Sequence, residues 1–120
     1  MTKALPMKNR VTAMTGTDYP IIQAPMGWIA RAQLASAVSN AGGMGVIETA
    51  SGEFDNIRNE VAKMRDLTDK PFGMNVALSY VKGTDIIDFV IQQNIKFVTT
   101  SSGSPNVCTQ AFQAAGIKVF

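Results

Sequence analysis

The chain has 120 residues, of which 46% are hydrophobic and 17% are charged, a composition typical of a globular domain. The formal net charge of +2 is spread along the sequence without a basic run, so the sequence favours neither a nucleic-acid partner nor a charged membrane surface. The N-terminus lacks an uninterrupted apolar segment, and we predict neither a signal peptide nor a membrane span.

The single cysteine, Cys108, excludes an internal disulfide and is consistent with the reducing cytoplasm, where we expect the protein to reside. We interpret Cys108 as a small buried residue on a helix rather than as a reactive thiol. The chain contains no histidine, the commonest general base and the commonest metal ligand. We therefore predict no metal site, and any chemistry must come from a cofactor, from carboxylates or from residues that this chain lacks.

Apolar periodicity divides the sequence into alternating strands and helices after a polar lead-in at residues 1–18, which holds one short helical turn over residues 9–14. The predicted strands are residues 19–24, 44–48, 72–78, 96–100 and 117–120. The predicted helices are residues 29–41, residues 54–67, a helix opened by Gly83 and Thr84, and residues 107–115. Strand and helix alternate four times in the same order, which favours parallel strands and right-handed crossovers.

This order predicts an α/β fold. A closed (β/α)₈ barrel, or TIM barrel, needs about 250 residues, so we expect residues 19–120 to form the N-terminal half of one, about its first four βα units. On this interpretation the chain is a fragment of a longer protein. A small doubly wound sheet is the structural alternative.

Two details of the first βα unit follow from its residues. Adjacent isoleucines, Ile21 and Ile22, predict a first strand that is buried on both faces. The helix after it carries an apolar stripe at three- and four-residue spacing, made of Ala30, Leu34, Ala37, Val38 and Ala41. Glycines at positions 42 and 43 are expected to end that helix.

Ligands of such folds gather at the carboxyl ends of the strands, where the sequence has two notable features. The first is Ala24, Pro25, Met26 and Gly27, whose backbone groups beside small side chains suit the edge of a flat ring, although an ordinary turn has the same composition. The second is Asn75, an amide within an apolar strand that can both donate and accept hydrogen bonds. A structural amide bonded to a neighbouring loop is the alternative for Asn75.

Other polar, glycine-rich or methionine-bearing positions have weaker interpretations. The hydroxyls of residues 99–104 could hold an anion before a helix, and they are equally good capping residues. Residues 42–45 contain three glycines but lead from a helix into a strand, the reverse of the dinucleotide-binding order, so we interpret these glycines as packing positions. Met26, Met44 and Met74 could line an apolar slot, but core packing is the commoner use of methionine.

Three motifs make the sequence resemble the N-terminal half of the nitronate monooxygenase (2-nitropropane dioxygenase-like) family. They are residues 19–27 (YPIIQAPMG), 37–45 (AVSNAGGMG) and 71–75 (PFGMN). Residues 67–73 and 98–100 are also similar to the FMN-dependent enoyl-acyl-carrier-protein reductases, which share the same barrel. The order of Gln23, Ala24 and Pro25 favours the nitronate enzymes.

The resemblance implies a TIM barrel that holds FMN non-covalently at the strand carboxyl ends and oxidises a small molecule, an alkyl nitronate, with O₂. By this similarity Ala24, Pro25, Met26 and Gly27 would contact the flavin and Asn75 would hydrogen-bond it. The family's histidine and phosphate-binding loop lie later in the sequence, so we assign no catalytic residue here and expect the isolated chain to be inactive. A non-catalytic half-barrel that associates with a partner chain is the competing hypothesis.

Overall fold

A computed structural model describes residues 5–80 and 84–120. Its helices and strands alternate along the chain after a short first helix. In chain order they are α1 (Arg10–Thr15), α2 (Ala32–Asn40), β1 (Gly45–Ile47), α3 (Phe54–Leu67), β2 (Phe72–Ala77), α4 (Asp85–Gln92), β3 (Phe97–Ser101), a 3₁₀ turn (Pro105–Val107), α5 (Thr109–Ala114) and β4 (Lys118–Val119).

The four strands form one sheet in the order β1-β2-β3-β4, and every pairing between them is parallel. An isolated parallel bridge between Ile22 and Met44 adds the segment before α2 to the outer side of β1. The predicted α/β fold with parallel strands is therefore confirmed. Because the strands run the same way, their carboxyl ends share one side of the sheet, here called the carboxyl edge.

The main core lies between the sheet and its helices. Its fully buried side chains include Ile57, Val61, Met64, Met74, Val76 and Phe112. A second, smaller cluster of buried side chains is separate from the main core and consists of Met44, Val46 and Phe97. Met44 and Met74 thus belong to different clusters and Met26 is 38% exposed, so the three methionines do not line a common slot.

The polar lead-in contains the predicted helical turn. Asn9 caps α1, since its side chain accepts a hydrogen bond from the Thr12 amide at 3.0 Å. Gly16 ends the helix with a left-handed φ of 73°. Among the described residues no helix has the length and apolar character needed to cross a lipid bilayer.

The prediction of a first strand buried on both faces is wrong. Within the predicted strand only Ile22 makes a parallel bridge, to Met44 just before β1, and Ile21 is 61% exposed. A regular ladder stops at Pro25, which has no N–H to donate. The Gln23 side chain replaces the missing ladder hydrogen bonds, since it accepts from the Val46 N–H at 3.4 Å and donates to the Val46 carbonyl at 3.1 Å.

The predicted helix over residues 29–41 is shorter than expected and buries a different face. It begins at Ala32, because the backbone of Arg31 at its N-cap is extended, with φ −118° and ψ −175°. The residues of α2 that are buried are Ala32, Ala35, Ser36 and Ser39. Of the predicted stripe, Ala30 is buried but precedes the helix, whereas Ala37 and Ala41 are exposed. That stripe is therefore wrong, and α2 contacts the sheet through small side chains.

Close backbone packing explains this choice of face. A Cβ atom at Gly45 would lie 2.0 Å from the carbonyl oxygen of Ala35, so α2 touches β1 backbone to backbone. Gly42 has a left-handed φ of 99° directly after the helix, as predicted. The glycines of residues 42–45 therefore serve packing and helix termination.

The last two helices differ in how well they were predicted. Gly83, expected to open a helix, lies outside the described residues, and α4 follows Thr84. The helix predicted over residues 107–115 is split into a 3₁₀ turn and α5. Cys108 lies at the junction and is 1% exposed, and burial raises the pKa of its thiol, in agreement with an unreactive cysteine.

Candidate functional site

The turn at residues 24–27 lies beyond the point where the chain leaves the sheet. Ala24, Pro25 and Met26 are exposed. The Met26 carbonyl accepts from the amides of Ile29 at 3.1 Å and Ala30 at 2.8 Å, which makes the turn compact. Within residues 5–80 and 84–120 the N–H groups of Met26 and Gly27 donate to no acceptor, so they are available to a ligand.

Gly27 brings this turn against the loop that follows β1. A Cβ atom at Gly27 would lie 3.8 Å from both the Cβ of Ala50 and the amide nitrogen of Ser51. The predicted turn and the loop at residues 49–53 therefore form one continuous surface at the carboxyl edge.

A buried carboxylate that the sequence analysis did not single out lies beneath this surface. Glu48 directly follows β1 and is fully buried. Its Oε1 accepts from Arg31 Nε at 3.3 Å and its Oε2 accepts from the Ser51 amide at 2.9 Å. The signal that could have found Glu48 is an acid that immediately follows an apolar strand at its ligand-facing end.

Arg31 joins Glu48 to a second carboxylate at the end of the same loop. Its Nη2 lies 2.5 Å from Glu53 Oε2. The bond to Glu53, opposed by desolvation and aided by Glu48, raises the pKa of Arg31. The same bond, together with one from Asn56, lowers the pKa of the exposed Glu53 carboxyl. Both groups are therefore charged throughout the neutral range.

Asn75 is 3% exposed and bonds to the neighbouring strand rather than to a loop. It accepts from Thr99 Oγ1 at 2.8 Å and donates through Nδ2 to Ser101 Oγ at 3.1 Å. An amide can donate twice and accept twice, so one N–H and one lone pair remain in addition to these bonds. The role of Asn75 toward a ligand stays a prediction.

Several hydroxyls of residues 99–104, for which an anion site and capping were equally good interpretations, bond within the protein. Thr99 donates a hydrogen bond to Asn75, and Ser101 accepts one from it. Ser104 caps the 3₁₀ turn by accepting from the Asn106 amide at 3.4 Å. Ser102 adopts a left-handed φ of 55° between them. This segment is best described as a capping loop.

Two cavities lie at opposite edges of the sheet. The one at the amino ends of the strands has a volume of about 560 Å³ and is bordered by Met14, Phe72 and Lys118 among others. The other, of about 310 Å³, lies between Thr49, Phe54 and Tyr80, next to the carboxyl edge. A third cavity, of about 620 Å³, is bordered by Trp28, Ile29 and Arg31 among others. None of the residues predicted to bind a ligand lines any of the three, so volume alone does not identify the site.

Comparison with known proteins identifies the family. Residues 8–112 match the family model for nitronate monooxygenase. The chain belongs to the nitronate monooxygenase family. The sequence-based assignment is thereby confirmed, and the fold is the first part of a (β/α)₈ barrel with parallel strands.

Named relatives in and around the nitronate monooxygenase family have several activities. The chain is 44% identical over 70 residues to a nitronate monooxygenase of Pseudomonas aeruginosa, an alignment that covers 58% of this chain and 20% of the relative. It is 32% identical over 90 residues to the (3aS,4S,5R,7aS)-5-hydroxy-7a-methyl-1-oxo-octahydro-1H-indene-4-carboxyl-CoA dehydrogenase of Mycobacterium tuberculosis, covering 75% of this chain and 25% of the relative.

Among solved structures the chain is similar to FabK from Thermotoga maritima, with a TM-score of 0.89 and 33% identity. This match covers 94% of the present chain and 36% of FabK. The chain thus spans about a quarter of the length of the Mycobacterium tuberculosis dehydrogenase and about a third of the length of FabK.

Proposed function

We propose that the chain is the N-terminal, cofactor-binding part of a flavin-dependent oxidoreductase that oxidises alkyl nitronates with O₂. The observation that carries the proposal is the match of residues 8–112 to the nitronate monooxygenase family. Residues 19–120 supply one part of the barrel in this proposal, and residues 1–18 are its lead-in. The rest of the active site, including any general base, comes from beyond these residues.

The carboxyl edge suits FMN. The turn at residues 24–27 is exposed and offers the N–H groups of Met26 and Gly27, which complement the carbonyl and ring-nitrogen acceptors of a flavin. Pro25 and Met26 add apolar surface for the ring. FMN when bound supplies the electron-accepting chemistry, and this chain's residues bind and orient it.

Proton transfer has no assigned group in this chain. It contains no histidine, and the buried Glu48 is occupied by Arg31 and Ser51. We therefore propose that the isolated 120-residue chain does not turn over nitronates, whereas the full-length protein does.

Reduction or oxidation of an acyl thioester is the second candidate. It is favoured by the TM-score of 0.89 to FabK, whose family the sequence also resembles, and by the carboxyl-CoA dehydrogenase named above. Both candidates use the same part of the barrel and the same cofactor, and they differ in the substrate.

A paired assay of the purified full-length protein separates them. Its absorption spectrum should contain a flavin band, and addition of propyl nitronate should consume O₂. Reduction of an enoyl thioester by NAD(P)H without nitronate-dependent O₂ consumption would transfer the assignment to the second candidate. Absence of flavin after reconstitution with FMN would overturn both.

Replacement of Asn75 tests whether its side-chain amide contributes to FMN binding. We expect Asn75→Ala in the full-length protein to weaken FMN binding roughly tenfold, because a lost hydrogen bond costs about 0.5–1.5 kcal/mol and about 1.4 kcal/mol is a factor of ten. Asn75→Asp should weaken it further if the nearest flavin atom is an acceptor. Titration of the apoprotein with FMN measures the effect.

Thr99→Val is the matched control for this substitution. It removes the hydrogen bond of 2.8 Å to Asn75 but keeps the amide and the volume of the side chain. We expect it to reduce thermal stability without changing the FMN dissociation constant more than about twofold, a change of under 0.5 kcal/mol. Equal losses of FMN affinity in both variants would show that Asn75 acts only through the strand pairing.

A further inference from the structure

We propose that Glu48 is a positioning residue that holds the cofactor-binding turn at residues 24–27 in place, with Arg31 as its partner. This inference rests on the proposed function, because it assigns to the turn the binding of FMN. Glu48 itself is buried beneath the carboxyl edge and needs no contact with the cofactor for this role.

The burial of Glu48 is not explained by stability. A carboxylate without solvent exposure loses its hydration, and even a buried ion pair contributes little net stability compared with apolar side chains of similar volume. The preceding residues of β1, Val46 and Ile47, are apolar and equally buried. An apolar residue at position 48 would continue that pattern, so the carboxylate has another use.

Glu48 contacts both segments that meet at the carboxyl edge. Its backbone N–H donates to the carbonyl of Ala30, three residues after the turn, at 2.8 Å. Its side chain accepts from Arg31 at 3.3 Å and from the Ser51 amide at 2.9 Å. One residue therefore links the chain after the turn with the loop after β1.

The loop held by Glu48 is the surface on which the turn rests. The Ser51 nitrogen that donates to Glu48 is also 3.8 Å from the Cβ position of Gly27. Arg31 extends the connection to Glu53 at 2.5 Å, so the loop is fixed at both its beginning and its end. A shift of this loop would move Gly27, and with it the N–H groups that we assign to FMN.

The test replaces Glu48 with an apolar side chain of similar length. Glu48→Met in the full-length protein should leave the fold intact, because Arg31 is partly exposed and keeps its ion pair with Glu53 at 2.5 Å, so that no unpaired buried charge results. We expect it to raise the FMN dissociation constant about tenfold or more, the equivalent of a lost charge-assisted hydrogen bond. Glu48→Gln, which can still accept from Ser51, should have a smaller effect.

Glu60→Met is the matched control. Glu60 is also a paired and mostly buried carboxylate, which accepts from the Ala32 amide at 2.9 Å and from Lys63 at 2.7 Å, but it has no bond to the loop or the turn. We expect its FMN dissociation constant to stay within about twofold of the unsubstituted protein. Equal weakening in Glu48→Met and Glu60→Met would overturn the proposal, as would unchanged affinity in Glu48→Met.

Hydrogen exchange of the apoprotein provides a readout that does not depend on FMN. Glu48→Met should accelerate exchange of the Ile29, Ala30 and Ser51 amides by about tenfold or more, because their hydrogen bonds depend on the clamped turn and loop. Failure of the unsubstituted protein to bind FMN would overturn the proposed function, whereas unchanged exchange at these amides would overturn the positioning role itself. If Glu48→Met does not fold, exchange of the Ile29 and Ala30 amides in Glu48→Gln decides, because this variant loses the charge that pairs with Arg31. Unchanged exchange at these two amides would count against the proposal.

Discussion

Gly45→Ala is expected to lower the free energy of unfolding by about 3 kcal/mol, the upper part of the range for overpacking a well-packed core. The added methyl carbon would lie 2.0 Å from the carbonyl oxygen of Ala35 and 2.7 Å from Ser39 Oγ. The first of these is a backbone atom in the middle of α2, which cannot move away as the end of a side chain can. Relief therefore requires separation of α2 from β1. Urea unfolding followed by circular dichroism measures the loss.

Gly27→Ala is the control for this experiment. Its added methyl would meet only ordinary contacts at 3.8 Å, and its φ is not among the positive values. We expect its unfolding free energy to stay within about 0.5 kcal/mol of the unsubstituted protein, as is usual for surface substitutions. If Gly45→Ala were as stable as Gly27→Ala, the close contact between α2 and β1 would be disproved.

Ser39→Ala should lower the free energy of unfolding by about 2–4 kcal/mol, because it deprives two backbone groups of their partner. The Ser39 hydroxyl is 1% exposed. It accepts from the Gly45 amide at 3.1 Å and donates to the Pro71 carbonyl at 2.9 Å. It thereby joins α2 to the starts of both β1 and β2. Thermal and urea unfolding of the variant measure the loss.

Ser36→Ala tests whether that loss is specific. Ser36 lies one turn earlier on the same buried face, but its hydroxyl donates only to Gln33, within the helix, at 3.2 Å. Alanine has the higher helix propensity, by about 0.5 kcal/mol, so we expect little change or a small gain in stability. A comparable loss in both variants would contradict a tertiary role for the Ser39 hydroxyl.

The sequence predicted the elements whose burial depends on large apolar residues. The bounds of α3, Phe54–Leu67, agree with the prediction because Ile57, Val61 and Met64 repeat at helical spacing. The face of α2 was predicted wrongly, because its contact with the sheet uses alanine and serine, which carry little hydrophobic signal. Close backbone approach, rather than apolar volume, decides that face.

The candidate site was predictable only at the level of segments. Its turn at residues 24–27 was found because proline and glycine mark the end of a strand. The partners of Asn75 depend on the register that places it opposite Thr99, which no local pattern reveals. The link from Glu48 to Arg31 joins residues that are 17 positions apart, and it too requires the folded chain.

The side chain of Gln23 makes the length and composition of the turn independent of the sheet. Its amide accepts from the Val46 N–H and donates to the Val46 carbonyl. The residues after Gln23 therefore need not adopt the backbone conformation of a strand. An extra residue inserted after Gln23 would lengthen the turn without shifting the register of β1. Substitutions at positions 24–26 should therefore leave the sheet intact, so the contribution of each of these residues to FMN binding can be measured in a folded protein.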